Sequence, residues 1–199
     1  MMPRALAFLR PVAAVTLLLL AINAAPAGPG PFPTVEFKTT QGTFRVQLNG
    51  RRAPLTVKNF LRYVEGGHYN GTIFHRVIGD FMAQAGGYDN DLTEKPTRNP
   101  VVNESGNGLS NTRGTIAMAR SGDPHSATAQ FFINLVDNQR LDPSPRRWGY
   151  TVFGEVVSGM DVLDKIALIE TGPRGMFRSD VPKTAVIIES AALVEAKAP

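Results

Sequence analysis

Apolar and polar residues alternate over 34–39 and again over 43–48, with Thr40, Gln41 and Gly42 between the two runs. A period of two sends alternate side chains to one face, so the stretch predicts a β-hairpin with one face on a core. The period changes at Pro54. Val57, Phe60, Leu61 and Val64 recur at helical spacing with Lys58, Arg62 and Glu65 between them, and Gly66-Gly67 follows. That pattern predicts an amphipathic helix with Pro54 in its first turn and the glycine pair at its end. Two short apolar, β-rich segments then meet across Gly79-Asp80, one over 72–78 and one from Phe81 to Gly87. Further strands are predicted over 114–119, 130–134, 150–157 and 184–194, and a second helix from Met160, Leu163, Ile166 and Ala167. The segments 88–113, 120–129 and 137–149 read as loops, and 172–182 as irregular chain. Helices so few do not alternate with strands as βαβ units require. The expectation is a mainly β fold, a closed eight-stranded antiparallel β-barrel with two capping α-helices and a side-chain-filled interior.

Composition narrows the picture at the N-terminus. Residues 1–27 carry Arg4 and Arg10, an apolar run from Val12 to Ile22, and the small residues Ala24, Ala25 and Ala27 around Pro26. This is the three-part pattern of a secretory signal peptide, and the apolar run is shorter than the ~18 residues of a membrane span. The expected organisation is a signal peptide over 1–27, a Pro/Gly-rich extended leader over 28–33 with no reason to pack, and one domain over 34–195. Removing the signal peptide's two arginines takes Lys+Arg from 21 to 19 against 17 Asp+Glu, so the net charge falls from +4 to +2. That is too weak a charge for a nucleic-acid surface, and no basic cluster is interleaved with aromatics. The chain has no cysteine, which removes disulfides, thiolate nucleophiles and Cys-ligated metals together. Export is expected, into a periplasm or beyond the cell. A monomer without stable membrane association is expected once the signal is removed.

The candidate chemistry centres on Arg76. His68, His75 and His125 never stand at metal-ligand spacing, and no G-x-S-x-G elbow exists. No metal and no cofactor is expected. His75 reads as a packed imidazole on the opposite face of its strand from Arg76. Strict alternation places Phe74, Arg76 and Ile78 on one face, Met82 and Gln84 on another, and Gln130, Phe132 and Asn134 on a third. If these faces converge they form an apolar pocket with one guanidinium at its edge. The alternative is an Arg76 that only snorkels to solvent at the barrel rim. On residue pattern alone both readings stand.

The residues over 74–78 and 81–84, then 114–119, 130–134 and 152–154, resemble the cyclophilin family of peptidyl-prolyl isomerases, in the family's order and over Val35 to Val194. The signal-like start and residues 112–120 are most similar to the exported bacterial branch. The resemblance implies the barrel with two helices, and an enzyme that accelerates rotation about Xaa-Pro peptide bonds in unfolded or exported proteins. It implies a catalytic role for Arg76, oriented by Gln84. Phe81, Met82 and Phe132 would hold the proline ring, with Leu141 and Tyr150 completing that pocket. Ala119, Arg120, Ser121 and Gln130 would line the groove for residues before proline. The chain departs from the best-known eukaryotic members at two places, with Arg140 where they have Trp and Tyr150 where they have His. A silent binding module for Pro-containing segments would keep the apolar residues and could lose Arg76 or Gln84. A small-molecule carrier would want a hollow barrel.

Overall fold

The computed structural model describes residues 30–194, so the expected signal peptide lies outside the described residues. Ten strands and two α-helices follow in the order β1 (Thr34–Thr39), β2 (Gly42–Leu48), α1 (Pro54–Glu65), β3 (Thr72–Ile78), β4 (Met82–Asp89), β5 (Thr115–Met118), β6 (Phe131–Asn134), β7 (Val152–Ser158), α2 (Met160–Ala167), β8 (Thr171–Arg174), β9 (Phe177–Pro182) and β10 (Ile188–Val194). Eight of the strands make one sheet in the order β10-β1-β2-β7-β5-β6-β4-β3, and each neighbouring pair runs antiparallel. The sheet curls until its two end strands meet. Closure is approximate, because the seam is a single bridge between Ile73 and Ile187, flanked by the Phe74 N–H on the Val186 carbonyl and the Gly71 N–H on the Ile188 carbonyl.

The interior is filled by aromatic rings. Phe37 and Phe44 face each other across the first hairpin and stack at 4.9 Å, and Phe60, Tyr69, Phe131 and Phe153 close around them. α1 delivers Val57, Phe60, Leu61 and Val64 to this core, as its spacing predicts. It has no acidic residue in its first turn and no cap of its own. Glu104 supplies both from the long loop, its carboxylate accepting from the Leu55 and Thr56 N–H groups and the Thr56 hydroxyl. α2 begins at Gly159, where φ is +81° and a Cβ would lie 2.5 Å from the Thr43 carbonyl, so only glycine fits.

Three expectations are corrected. The described part of the leader does pack: the Pro31 and Pro33 carbonyls accept from the Gly50 and Leu48 N–H groups, and Arg51 lies over the Phe32 ring. Residues 172–182 are not irregular but belong to a second sheet, the β8–β9 hairpin. Phe74 does not share a face with Arg76. The β3 register shifts on both sides of Phe74, so Phe74 turns into the core while Arg76 and Ile78 face outward.

The β8–β9 hairpin covers the outside of β3. Phe177 packs on His75 and Tyr88 at ring distances of 5.5 and 5.1 Å. His75 is thus buried, though beneath the hairpin rather than inside the barrel, and its Nδ1 has no partner among the described residues. Burial pushes its pKa down from 6.5 to about 4, with the Arg76 charge adding to the effect and a backbone contact at Ile73 opposing it. Between those two pH values the unfolded chain takes up a proton that the folded chain refuses. Stability therefore falls as pH drops from 6.5 towards 4, by about 3 kcal/mol in full. His68, also lowered chiefly by burial, contributes in the same direction. Urea unfolding of wild type across this range should show the fall, and His75→Phe should flatten most of it. An equally steep loss in the variant would assign the dependence elsewhere.

Candidate active site

Outside the filled core, the alternation of β4, β5, β6 and β7 gathers a second apolar cluster. Met82, Ala117, Phe132 and Val152 are its buried centre, with Ile78, Phe81, Leu109, Ala119, Leu141 and Tyr150 packed around them. The logic is clearest on β6, where Phe131 and Ile133 enter the core and Phe132 faces this cluster. Beside it, a pocket of about 190 Å³ is lined by Arg76, Phe81, Met82, Gln84, Ala119, Arg120, Phe132, Leu141 and Tyr150. Its floor is dry: Met82 is 2% and Phe132 4% exposed. Tyr150 meets Phe132 edge-on at 5.7 Å. Arg76 reaches the rim from β3 with its side chain 42% exposed, so it is neither buried unpaired nor fully released to water.

Two of the eleven expected residues stand beside this pocket. Gln130 receives a hydrogen bond on its Oε1 from Gln84 Nε2 at 2.9 Å. Its side chain lies where a Cβ on Gly87 would be, 2.5 Å away, so the glycine makes room for the amide pair. Ser121 is on the exposed rim, donating its hydroxyl to Ser126 Oγ at 2.8 Å. Gln84 and Arg76 are register partners across β3 and β4, but no side-chain hydrogen bond joins them among the described residues. The partner that Arg76 has is Asp180, whose Oδ2 lies 3.6 Å from Nε. Asp180 sits on β9 at φ +67°, a backbone region that asparagine and aspartate tolerate better than most residues. Its strand, FRSDVP, is short and mostly polar, with no alternation to mark it in the sequence.

A run of polar side chains behind the pocket was also missed. Asn138 donates to the Phe81 carbonyl and to Asn134 Oδ1, both at 2.8 Å. Asn134 donates to Asn111 and Thr115, and Asn111 donates to Asp142, which also accepts from the Ser110 hydroxyl. Burial pushes the Asp142 carboxyl up, but these bonds and the Arg147 charge outweigh it and hold its pKa below the usual value. The network ties the bend that carries Phe81 to the turn that carries Leu141, whose N–H bonds the Asn138 carbonyl and whose carbonyl accepts from Tyr150. The signal was present in part, since Asn134 shares its strand face with Phe132, and a buried amide needs partners. Among the described residues no group of three His, Asp or Glu could hold a metal ion, and no helix is long and apolar enough to cross a membrane.

What the arrangement can do is limited by its chemistry. It offers an apolar slot, the guanidiniums of Arg76 and Arg120 and two amides, and its lining holds no Ser, His, Asp, Glu or Lys. It suits an apolar ring joined to a polar, uncharged group whose electron distribution changes.

Comparison with known proteins agrees. Residues 34–193 match the family model described as cyclophilin type peptidyl-prolyl cis-trans isomerase/CLD. Peptidyl-prolyl cis-trans isomerase B of Escherichia coli (strain K12) is 55% identical over 164 residues, covering 81% of this chain and 99% of that protein. Peptidyl-prolyl cis-trans isomerase cyp18 of Streptomyces antibioticus is 53% identical over 165 residues, covering 81% and 98%. The crystal structure of a Cryptosporidium parvum cyclophilin type isomerase superposes with a TM-score of 0.67 at 24% identity, covering 83% of this chain and 99% of that one, a likeness of fold.

Proposed function

The chain belongs to the cyclophilin-type peptidyl-prolyl cis-trans isomerases, and we propose that it works by holding a substrate proline on Met82 and Phe132 while Arg76 stabilises the twisted amide. The observation that carries this reading is the convergence of Arg76 with that dry floor in one pocket. An amide resists rotation by ~18–20 kcal/mol because the nitrogen lone pair is delocalised into the carbonyl. At the perpendicular geometry the lone pair is localised on nitrogen and accepts a hydrogen bond. A guanidinium aimed at the prolyl nitrogen binds that geometry better than either planar isomer, and differential binding is what lowers a barrier.

The magnitudes divide the work. Bringing tens of seconds to milliseconds takes roughly 5–6 kcal/mol, at about 1.4 per tenfold. One hydrogen bond from a charged donor contributes about 1.5–3 kcal/mol. The remainder falls to the pocket, whose nearly water-free floor strengthens that bond and favours the less polar twisted amide over the planar one. No proton moves, so neither histidine, nucleophile nor metal enters the scheme. Gln84 and Gln130, bonded to each other, contribute by giving the groove beside Arg76 a fixed polar wall.

The proposed setting is the folding of exported proteins, with Pro-containing segments as substrates and a monomeric enzyme in the periplasm. The pattern of residues 1–27 supports export. The decisive experiment is cis/trans exchange of a short Xaa-Pro peptide, followed in a protease-coupled assay with residues 28–199. Exchange far above buffer is expected. A rate equal to buffer would leave only a binding module for Pro-containing segments.

A further inference from the structure

The charges around the pocket are one-sided. Of the residues that line it, Arg76 and Arg120 are the ionic ones, and no carboxylate joins them. A third guanidinium lies beside it: Arg140 is stacked over the ring of the lining residue Phe81, 4.9 Å from the centroid, as Arg120 is over Tyr150 at 4.5 Å. Arg76 has Asp180 as its counter-ion. Arg120 has only neutral partners, the carbonyls of Ser121, Trp148 and Gly149. Arg140 has no carboxylate partner among the described residues and is exposed. Asp142, its sequence neighbour, is engaged on the other side by Ser110 and Asn111. Three exposed acids are close by in sequence: Asp80, at the bend before Phe81, Asp123, whose Oδ1 accepts from the His125 N–H, and Asp137, whose Oδ1 accepts from the Arg113 N–H; none pairs with Arg120 or Arg140 among the described residues.

We propose that the site selects Xaa-Pro bonds with an acidic residue next to the proline, the carboxylate being met by the ring-stacked guanidiniums of Arg120 and Arg140. The inference rests on the isomerase reading, since it takes the pocket as the seat of proline. A residue adjacent to proline has its Cα 3.8 Å from the proline Cα, within side-chain reach of charges that sit some 5 Å from the rings of the slot. Stacking holds both guanidiniums in place; Arg120 uses three of its five N–H donors on the Ser121, Trp148 and Gly149 carbonyls and keeps two, and the Arg140 side chain makes no hydrogen bond among the described residues, so both retain donors for a carboxylate. A lysine at the same substrate position meets like charge.

The test is a peptide series with Glu, Ala or Lys beside the proline, both binding and cis/trans exchange being read by NMR. At about 0.1 M salt the Glu peptide should exceed the Lys peptide about tenfold in kcat/KM, and in affinity. At about 1 M salt, where screening extends only ~3 Å, the ratio should fall to within about twofold. Arg140→Gln should lower the low-salt ratio about threefold, and Arg140→Lys should largely restore it. Equal treatment of Glu and Lys peptides at low salt, or a preference for Lys, overturns the proposal. Selective binding of the Glu peptide without exchange of any peptide upholds it and overturns the isomerase mechanism instead, so the two failures are distinguishable. The wild-type charge and salt series stands even if an Arg140 variant fails to fold.

Discussion

Arg76→Ala should reduce kcat/KM for a short Xaa-Pro peptide by roughly 100-fold and leave the folded structure intact, because the lost hydrogen bond from a charged donor is worth about 1.5–3 kcal/mol. The activity loss and the stability are separable because the side chain is 42% exposed and its ion pair with Asp180, itself 32% exposed, spans 3.6 Å. A pair so placed contributes about 0–1 kcal/mol to folding. Arg76→Lys should recover only a small part of the rate. It keeps the charge but not the planar fork that aims a donor at one nitrogen. The comparison needs exchange rates together with an unfolding curve for each variant. An Arg76→Ala protein within about threefold of wild type would remove the guanidinium from the mechanism and leave desolvation by the pocket as the source of catalysis.

Phe60→Ala should cost about 3–5 kcal/mol of stability, the range for deleting a buried aromatic side chain. Phe60 is fully buried and touches the Phe37, Tyr69, Phe131 and Phe153 rings at centroid distances from 5.0 to 6.3 Å. Those neighbours come from four separate parts of the chain and are anchored by the strands around them, so they cannot collapse into the space left behind. The chain has no disulfide to offset the loss. The measurement is the urea midpoint of variant and wild type. A shift below about 1 kcal/mol would mean that the interior repacks, contrary to the close packing expected of a filled barrel.

The two predictions differ in how far the sequence alone could support them. Phe60 was legible because a helical period with clean polar intervals admits one buried face. Strand alternation over 82–84 and 130–134 survives intact in the fold and brings Met82, Gln84 and Phe132 to the pocket, whereas Ala119, Arg120, Leu141 and Tyr150 were implied by the family resemblance alone. Alternation failed at β3, where the register shift at Phe74 put two consecutive residues, His75 and Arg76, outside the barrel. A bulge is set by how neighbouring strands fit, and the β3 residues carry no trace of it. The β8–β9 hairpin was hidden for a related reason: its strands cover another element rather than a core, so they need no alternating apolar residues. With it went Asp180, the counter-ion of Arg76. The long segment over 88–113 reads as loop, yet Asn103, Ser105 and Asn111 are buried and Glu104 caps α1, because polar side chains that satisfy one another leave no hydrophobic period to detect.

One feature of the sheet bears on how the domain can be used. β1 and β10 are adjacent, and Thr34 pairs with Val194, so the first and last strands leave the barrel at the same corner. Neither strand contributes a residue to the pocket. A fusion partner joined ahead of Thr34 or behind Val194 would depart from one place on the surface and leave the pocket unobstructed. Joining the two ends and opening the chain at an exposed loop such as the one around Gly122 would likewise keep every strand pair of the main sheet.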